Sequence, residues 1–134
     1  MEAGANGVHE TRIATRWTDF DPLGHLTHSI VFDYFDEARD QMLRRCVGDF
    51  ETWPYVVVHV EADFRHEVGH GPRDLIVRTW IVRVGDSSVR FGQELLTPSG
   101  EIAIESEVVL VAFDPTDRQV RPIGADDRAR LLAV

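Results

Sequence analysis

The chain has no lysine. All 14 basic residues among its 134 are arginine, which excludes a P-loop lysine, Schiff-base chemistry and every mechanism built on a catalytic lysine. Arginine still offers a planar fork of donors suited to phosphate. Cys46 is the single cysteine, so no intrachain disulfide can form, in keeping with a reducing compartment. A nucleophilic role for Cys46 is not expected, because a thiol near the end of an apolar helix is more commonly packed than reactive. No apolar run approaches the about 20 residues of a membrane-crossing helix. The first residues, Met1 to Gly7, lack the basic-then-apolar pattern of a secretory signal. The cytoplasm is therefore the expected compartment, with no membrane partner. A net charge of −9 argues against nucleic acid as a partner.

What is present is an ordinary globular composition, long enough for one core, so residues 1–134 read as a single domain. Residues 1–7 read as a loose tail. Val8 to Arg16 reads as a weak strand, with Ile13 and Trp17 as core anchors. A polar loop follows from Thr18 to Thr27, holding the turn residues Asp21-Pro22 and Gly24. From about Ser29 to Val47 the apolar positions Ile30, Val31, Tyr34, Phe35, Ala38, Met42 and Cys46 keep the spacing of one helical face. Thr27 or Ser29 is the expected N-cap and Gly48 the stop. Arg44 and Arg45 in the last turn suit the helix dipole.

After Trp53-Pro54, residues Tyr55 to Phe64 alternate as a strand. Val56, Val58, Val60, Ala62 and Phe64 face one way, with His59, Glu61 and Asp63 facing the other. A loop from Val68 to Arg73 leads to three more strand segments, Leu75–Val84, Ser88–Leu96 and Ile102–Phe113. The turns between them are Gly85-Asp86 and Pro98-Ser99-Gly100, and Asp114-Pro115-Thr116-Asp117 ends the last. A short helix over Asp126–Leu132, capped by an aspartate, closes a C-terminal segment 124–134. One strand, a long helix and four strands joined by short connections predict an α+β fold whose strands pair antiparallel. One helix covers one sheet face only. The uncovered strand edges and the two-sided apolar runs Leu75-Ile76-Val77 and Val108-Val109-Leu110-Val111 predict a dimer or higher oligomer.

The loop and the helix carry the most specific pattern. Asp19-x-Asp21-x-x-Gly24-His25 runs without a gap into Tyr34-Phe35-x-Glu37-Ala38-Arg39. This resembles the hot-dog-fold acyl-CoA thioesterases of the 4-hydroxybenzoyl-CoA thioesterase type. The resemblance extends through Val56–Phe64, the Gly85-Asp-Ser-Ser-Val-Arg-Phe hairpin and the final strand to Asp114, covering roughly residues 10–123. It implies a long helix wrapped by a five-stranded antiparallel sheet, with protomers joined edge to edge as a homodimer or homotetramer and active sites at the dimer interface. It further implies hydrolysis of an acyl-CoA or acyl carrier protein thioester. Coenzyme A then enters as part of the substrate, with no separate cofactor. The family's catalytic carboxylate falls at Asp21, and a histidine that some members use falls at His28. Thr27-His28 stands where many members have two asparagines, so the acyl group stays open.

The chemistry of these residues is consistent with that role. A thioester carbonyl is electrophilic, so Asp21 can attack it or act as general base for water; without the family pattern, Asp21-Pro22 reads first as a turn and Asp19 as a loop cap. The backbone N–H groups of Gly24 and His25, close to a helix start, can polarise the carbonyl oxygen. His28 can position water or substrate, or simply lie exposed at the helix entrance. Glu37 and Arg39 suit either loop ordering or a solvated helix face. Arg65, Arg73, Arg90 and Arg121 are candidates for the phosphates of coenzyme A, and no spacing singles one out. Two other readings stand beside hydrolysis: a hot-dog hydratase or dehydratase, and a non-catalytic acyl-CoA-binding module.

His66-Glu67-Val68-Gly69-His70 matches the H-E-x-x-H signature of zinc proteases. That motif works on a helix, where both histidines share a face. Here it follows a strand and contains Gly69, with Gly71-Pro72 next, so a loop is expected and no metal site.

Overall fold

The computed structural model describes residues 7–48, 54–69 and 73–134. The expected tail up to Asn6, Trp53, His70 and Gly71-Pro72 lie outside them. The elements run β1 (His9–Ala14), α1 (His28–Cys46), β2 (Tyr55–Phe64), β3 (Asp74–Val84), β4 (Ser88–Leu96), β5 (Ile102–Asp114), β6 (Gln119–Val120) and α2 (Ala125–Leu132). Every strand pair is antiparallel, and the order is β1-β3-β4-β5-β2 with β6 on the end of β5. One long helix lies against one face of this sheet, the hot-dog arrangement. No helix among the described residues is long and apolar enough to cross a membrane.

The helix forms where its apolar stripe predicts. Val31, Tyr34, Phe35, Ala38, Met42 and Leu43 are buried, and each fully buried large side chain contributes about 1.5–3 kcal/mol. It stops at Gly48, whose φ of +83° is open to glycine at little cost. The Gly48 N–H returns to the Leu43 carbonyl at 3.2 Å. Its start is His28, and Thr27 occupies the N-cap position without a side-chain capping bond.

The core falls into two apolar clusters. Ile13, Val31, Phe35, Val77, Leu95 and Ile104 belong to one; Met42, Val47, Phe91, Val108, Ile123 and Leu131 belong to the other. Between them four elements each contribute one buried polar residue: Arg39 from α1, Thr79 from β3, Gln93 from β4 and Ser106 from β5. Gln93 donates to the Phe35 carbonyl at 2.9 Å and to Thr79 Oγ1 at 3.0 Å, and accepts from Arg39 at 2.8 Å. Ser106 Oγ donates to the Glu61 carbonyl at 2.8 Å. Arg39 also pairs with Asp36. Burial lowers the guanidinium's pKa, against the pull of Asp36. Each of these four buried side chains thus has a partner, as burial requires.

Four expectations are corrected. Trp17 is no core anchor: it is 75% exposed. It begins a single 3-10 turn, Trp17–Asp19, where successive residues point about a third of a turn apart, so the turn that brings Asp19 inside carries Trp17 out. The alternation of β2 is broken by a register shift between Val57 and His59. Val57, not Val56, therefore stands opposite the inward Leu110, and Val60 opposite Val108. An extra two-residue strand, β6, follows the turn after Asp114. The cap of α2 is Gly124, with Asp126 and Asp127 inside the first turn, where the helix dipole favours the same acidic residues that a cap does.

Candidate active site

The loop from Asp19 to Thr27 is a small closed hairpin. Phe20 and Leu26 form an antiparallel bridge, the Thr27 N–H donates to the Asp19 carbonyl at 2.9 Å, and the Asp21 N–H donates to the His25 carbonyl at 2.8 Å. Asp21 organises the tip. Its Oδ1 accepts the N–H of Leu23 at 2.9 Å and of His25 at 3.0 Å. Gly24, at φ +80°, turns its N–H back to the Asp21 carbonyl at 2.9 Å. Asp21, Gly24 and His25 are therefore one turn. The two N–H groups expected to face a carbonyl oxygen, those of Gly24 and His25, are engaged inside the loop. The first N–H groups of α1, on His28 and Ser29, have no acceptor among the described residues.

The outer side of the loop is held by the segment after β2. Leu26 N–H donates to Val68 O at 2.7 Å, His25 bridges Gly69, and His25 Nε2 lies 3.1 Å from Glu67 Oε2. The described part of the H-E-x-x-H match is thus loop backbone paired with the hairpin. Among the described residues no three His, Cys, Asp or Glu side chains form a metal-ligand group.

His28 stands exposed at the helix start, its ring edge-on to Phe64 at 6.3 Å, and Phe64 meets Phe32 at 6.4 Å. Beside this aromatic row a cleft of about 210 Å³ opens between loop, helix and strand end. It is lined by Leu26, Val31, Phe64, Val68 and Ile104, with His25 at its rim. Of the four arginines considered for phosphate, Arg65 lines this cleft while pairing with Glu105 at 2.8 Å. Arg90 pairs with Glu107 and Arg121 with Asp114 and Asp117. Cys46 lies away from the loop, its Sγ 3.9 Å from His9 Nε2. Burial pushes its thiol up, against the opposing charge of Arg45.

The residue that sequence reasoning passed over is Asp19. It is 1% exposed and accepts from Tyr34 Oη at 2.5 Å, the Arg16 N–H at 3.0 Å and the Arg16 guanidinium at 3.1 Å. Burial raises its pKa, but these donors together outweigh burial and hold the carboxyl below its usual range. Its signals in the sequence were its place at the head of the Asp19-x-Asp21 pattern and Arg16 three residues ahead, a spacing that also suits a solvated pair.

A family model described as the thioesterase-like superfamily matches residues 15–131. The chain belongs to that superfamily. The expectation of a thioesterase therefore stands at the level of the family. Solved structures agree. A predicted thioesterase from Bacillus stearothermophilus superposes with a TM-score of 0.84 at 25% identity, covering 94% of this chain and 95% of that one. A thioesterase from Thermus thermophilus, complexed with coenzyme A and Zn, gives 0.78 at 26% identity over 91% and 95%. The 1,4-dihydroxy-2-naphthoyl-CoA thioesterase Slr0204 from Synechocystis shares the fold, at 0.82 and 15% identity over 94% and 96%. No curated protein matches the chain.

Proposed function

We propose that this superfamily member is a cytoplasmic acyl-CoA thioesterase in which Asp21 is the reacting carboxylate. The observation that carries the reading is the state of Asp21. Its Oδ1 is fixed by two backbone N–H groups, while Oδ2 has no donor among the described residues and remains available for chemistry. Either that oxygen attacks the thioester carbon, expelling CoA thiolate and leaving a mixed anhydride for water to cleave, or it takes a proton from water as the water oxygen attacks. In both routes the C–S bond breaks, the thiolate takes up a proton, and acid and CoA are released. Neither route needs a metal or a further cofactor. The helix-start N–H groups of His28 and Ser29 are suited to stabilise the developing oxyanion, in place of those of Gly24 and His25. His28 is a helper to water or substrate at the same helix end.

The Thermus complex with coenzyme A supports CoA, rather than acyl carrier protein, as the carrier. The exposed side chains of Val56, Val57, Val58, Val60 and Phe64 on edge strand β2 support a homodimer or homotetramer, since such an edge is rarely left bare.

The test is free-thiol release from a panel of aliphatic and aromatic acyl-CoAs by wild type and Asp21→Asn. Asparagine keeps the oxygen that accepts the two N–H groups, so the turn is preserved while the charge is lost. A loss of about 10²–10⁴-fold is expected, the usual size for a missing general base. Equal rates would refute the assignment; tight acyl-CoA binding with no release by wild type would make the protein a binding module. Stoichiometric zinc in the purified protein would overturn the metal-free route.

A further inference from the structure

We propose that Asp19 and Tyr34 are positioning residues for the Asp21 loop: a buried tie that fixes the loop to the second turn of the helix and sets where the Asp21 carboxylate stands. The inference rests on the reading of Asp21 as the reacting group. The tie has three parts. The Asp19 backbone closes the base of the hairpin, its carbonyl accepting the Thr27 N–H at 2.9 Å, and Thr27 is the residue from which α1 departs. The Asp19 carboxylate leaves the loop inward, where Tyr34 Oη donates to Oδ2 at 2.5 Å. Tyr34 belongs to the buried stripe and packs with Val31, Phe35 and Ala38. Arg16 closes the other side through its N–H and guanidinium.

The chemistry of the pair suits a fixed strut. Burial and the neighbouring Asp19 carboxylate push the Tyr34 phenol well above its ordinary range, so it donates as a neutral hydroxyl to a carboxylate held ionised. A charge-assisted O–H bond to a buried acceptor is short and strong. Asp21 follows two residues on. Beyond the base the hairpin is held by the Phe20–Leu26 bridge and the bonds of Asp21. Val68, Gly69 and Glu67 hold its outer side, and Leu26 packs against the core. Its side-chain hydrogen bond to α1 is that of Asp19 with Tyr34. Asp19 itself is closed off from substrate at 1% exposure, so it acts through Asp21 and not beside it.

The test uses the full chain as Tyr34→Phe, Asp19→Asn and the double variant, with Leu131→Ala as a stability control from the other core cluster. Benzoyl-CoA and octanoyl-CoA are the probes, and amide hydrogen exchange is followed at His25 and Thr27. Each single variant is expected to lower kcat about ten- to a hundredfold, the cost of a misplaced reacting group, with KM little changed. The double variant should be no worse than the poorer single, because both act through one bond. Exchange at His25 and Thr27 should accelerate while β3–β5 stay protected. Leu131→Ala should lower the melting temperature without lowering kcat. Unchanged kcat with unchanged exchange in Tyr34→Phe would overturn the proposal, as would a fall in kcat that Leu131→Ala reproduces. If wild type releases no thiol from either probe, the thioesterase reading fails separately. Exchange then decides the tie: faster exchange upholds it, unchanged exchange overturns it.

Discussion

The two halves of the core are finished differently. The half around Met42, Phe91 and Val108 is sealed by α2 through Leu131 and by Ile123 just ahead of that helix, and this lid is fastened by polar bonds. Arg130 donates to the Val47 carbonyl at 2.7 Å and Arg128 to the Gly85 carbonyl at 2.7 Å. Tyr55 Oη reaches Asp127 at 3.5 Å, and burial first, then that carboxylate, pushes its phenol up to about 12. The half around Val31, Phe35 and Ile104 has no such lid among the described residues. Its end is a hairpin, a helix start whose first N–H groups have no acceptor among the described residues, and a cleft of about 210 Å³. Apolar packing alone would favour closing both ends. On the role proposed for Asp21, leaving one open while fastening its rim through Asp19 and Tyr34 separates the stabilising end from the reacting end. The layer of Arg39, Thr79, Gln93 and Ser106 marks the division.

The sharpest way to break this comparison is to truncate one large side chain on each side. Phe35→Ala should cost about 3–5 kcal/mol and Met42→Ala about 2–5 kcal/mol in urea unfolding. Only Phe35→Ala, which lies beside Tyr34, should also reduce kcat of the folded fraction. Equal loss of kcat in both would dissolve the division. Gln93→Leu probes the boundary. Leaving Arg39 and the Phe35 carbonyl short of a partner should cost about 1–3 kcal/mol by the same measurement, and a neutral result would mean that the polar layer does not matter to stability. Gly48→Ala forces a side chain into a left-handed backbone and should cost about 1–2 kcal/mol, an effect confined to the sealed half and visible as a lower melting temperature with unchanged kcat. Smallest is Glu67→Gln on the open side. The exposed His25–Glu67 pair should be worth less than about 1 kcal/mol, and its effect should fade as salt is added.

Most of the sheet and the long helix were legible in the sequence because their periodicities are strong. The spacing from Ile30 to Cys46 predicts a helix over 29–47, against the observed His28–Cys46. Turn residues mark both hairpins. At the site, Asp21, Gly24 and His25 were legible as a group, and the structure joins them in one turn. What was illegible has a common cause: one-dimensional pattern assigns a residue to inside or outside by its type. Trp17 reads as core and is exposed, while Asp19 reads only as part of the polar loop and Arg39 as either loop-ordering or solvated, and both are buried. The burial of Asp19 and Arg39 depends on partners far along the chain, Tyr34 for Asp19 and Gln93 for Arg39, and no local spacing reports those two partners. The bulge in β2 escaped for a similar reason, since four consecutive apolar or β-branched residues from Tyr55 to Val58 support either register. The use of the Gly24 and His25 N–H groups escaped because Asp21 competes for both at short range, with its backbone carbonyl for Gly24 and its carboxylate for His25.

The division between a reacting end and a stabilising end is tested most directly by kcat and melting temperature measured together for Asp21→Asn and Met42→Ala with one hydrolysable acyl-CoA. If the open end holds the chemistry, Asp21→Asn loses about 10²–10⁴-fold in kcat at an almost unchanged melting temperature, as expected for a reacting carboxylate whose turn is kept. Met42→Ala then shows the reverse: a lower melting temperature with kcat retained. Wild-type kcat in Asp21→Asn would contradict it.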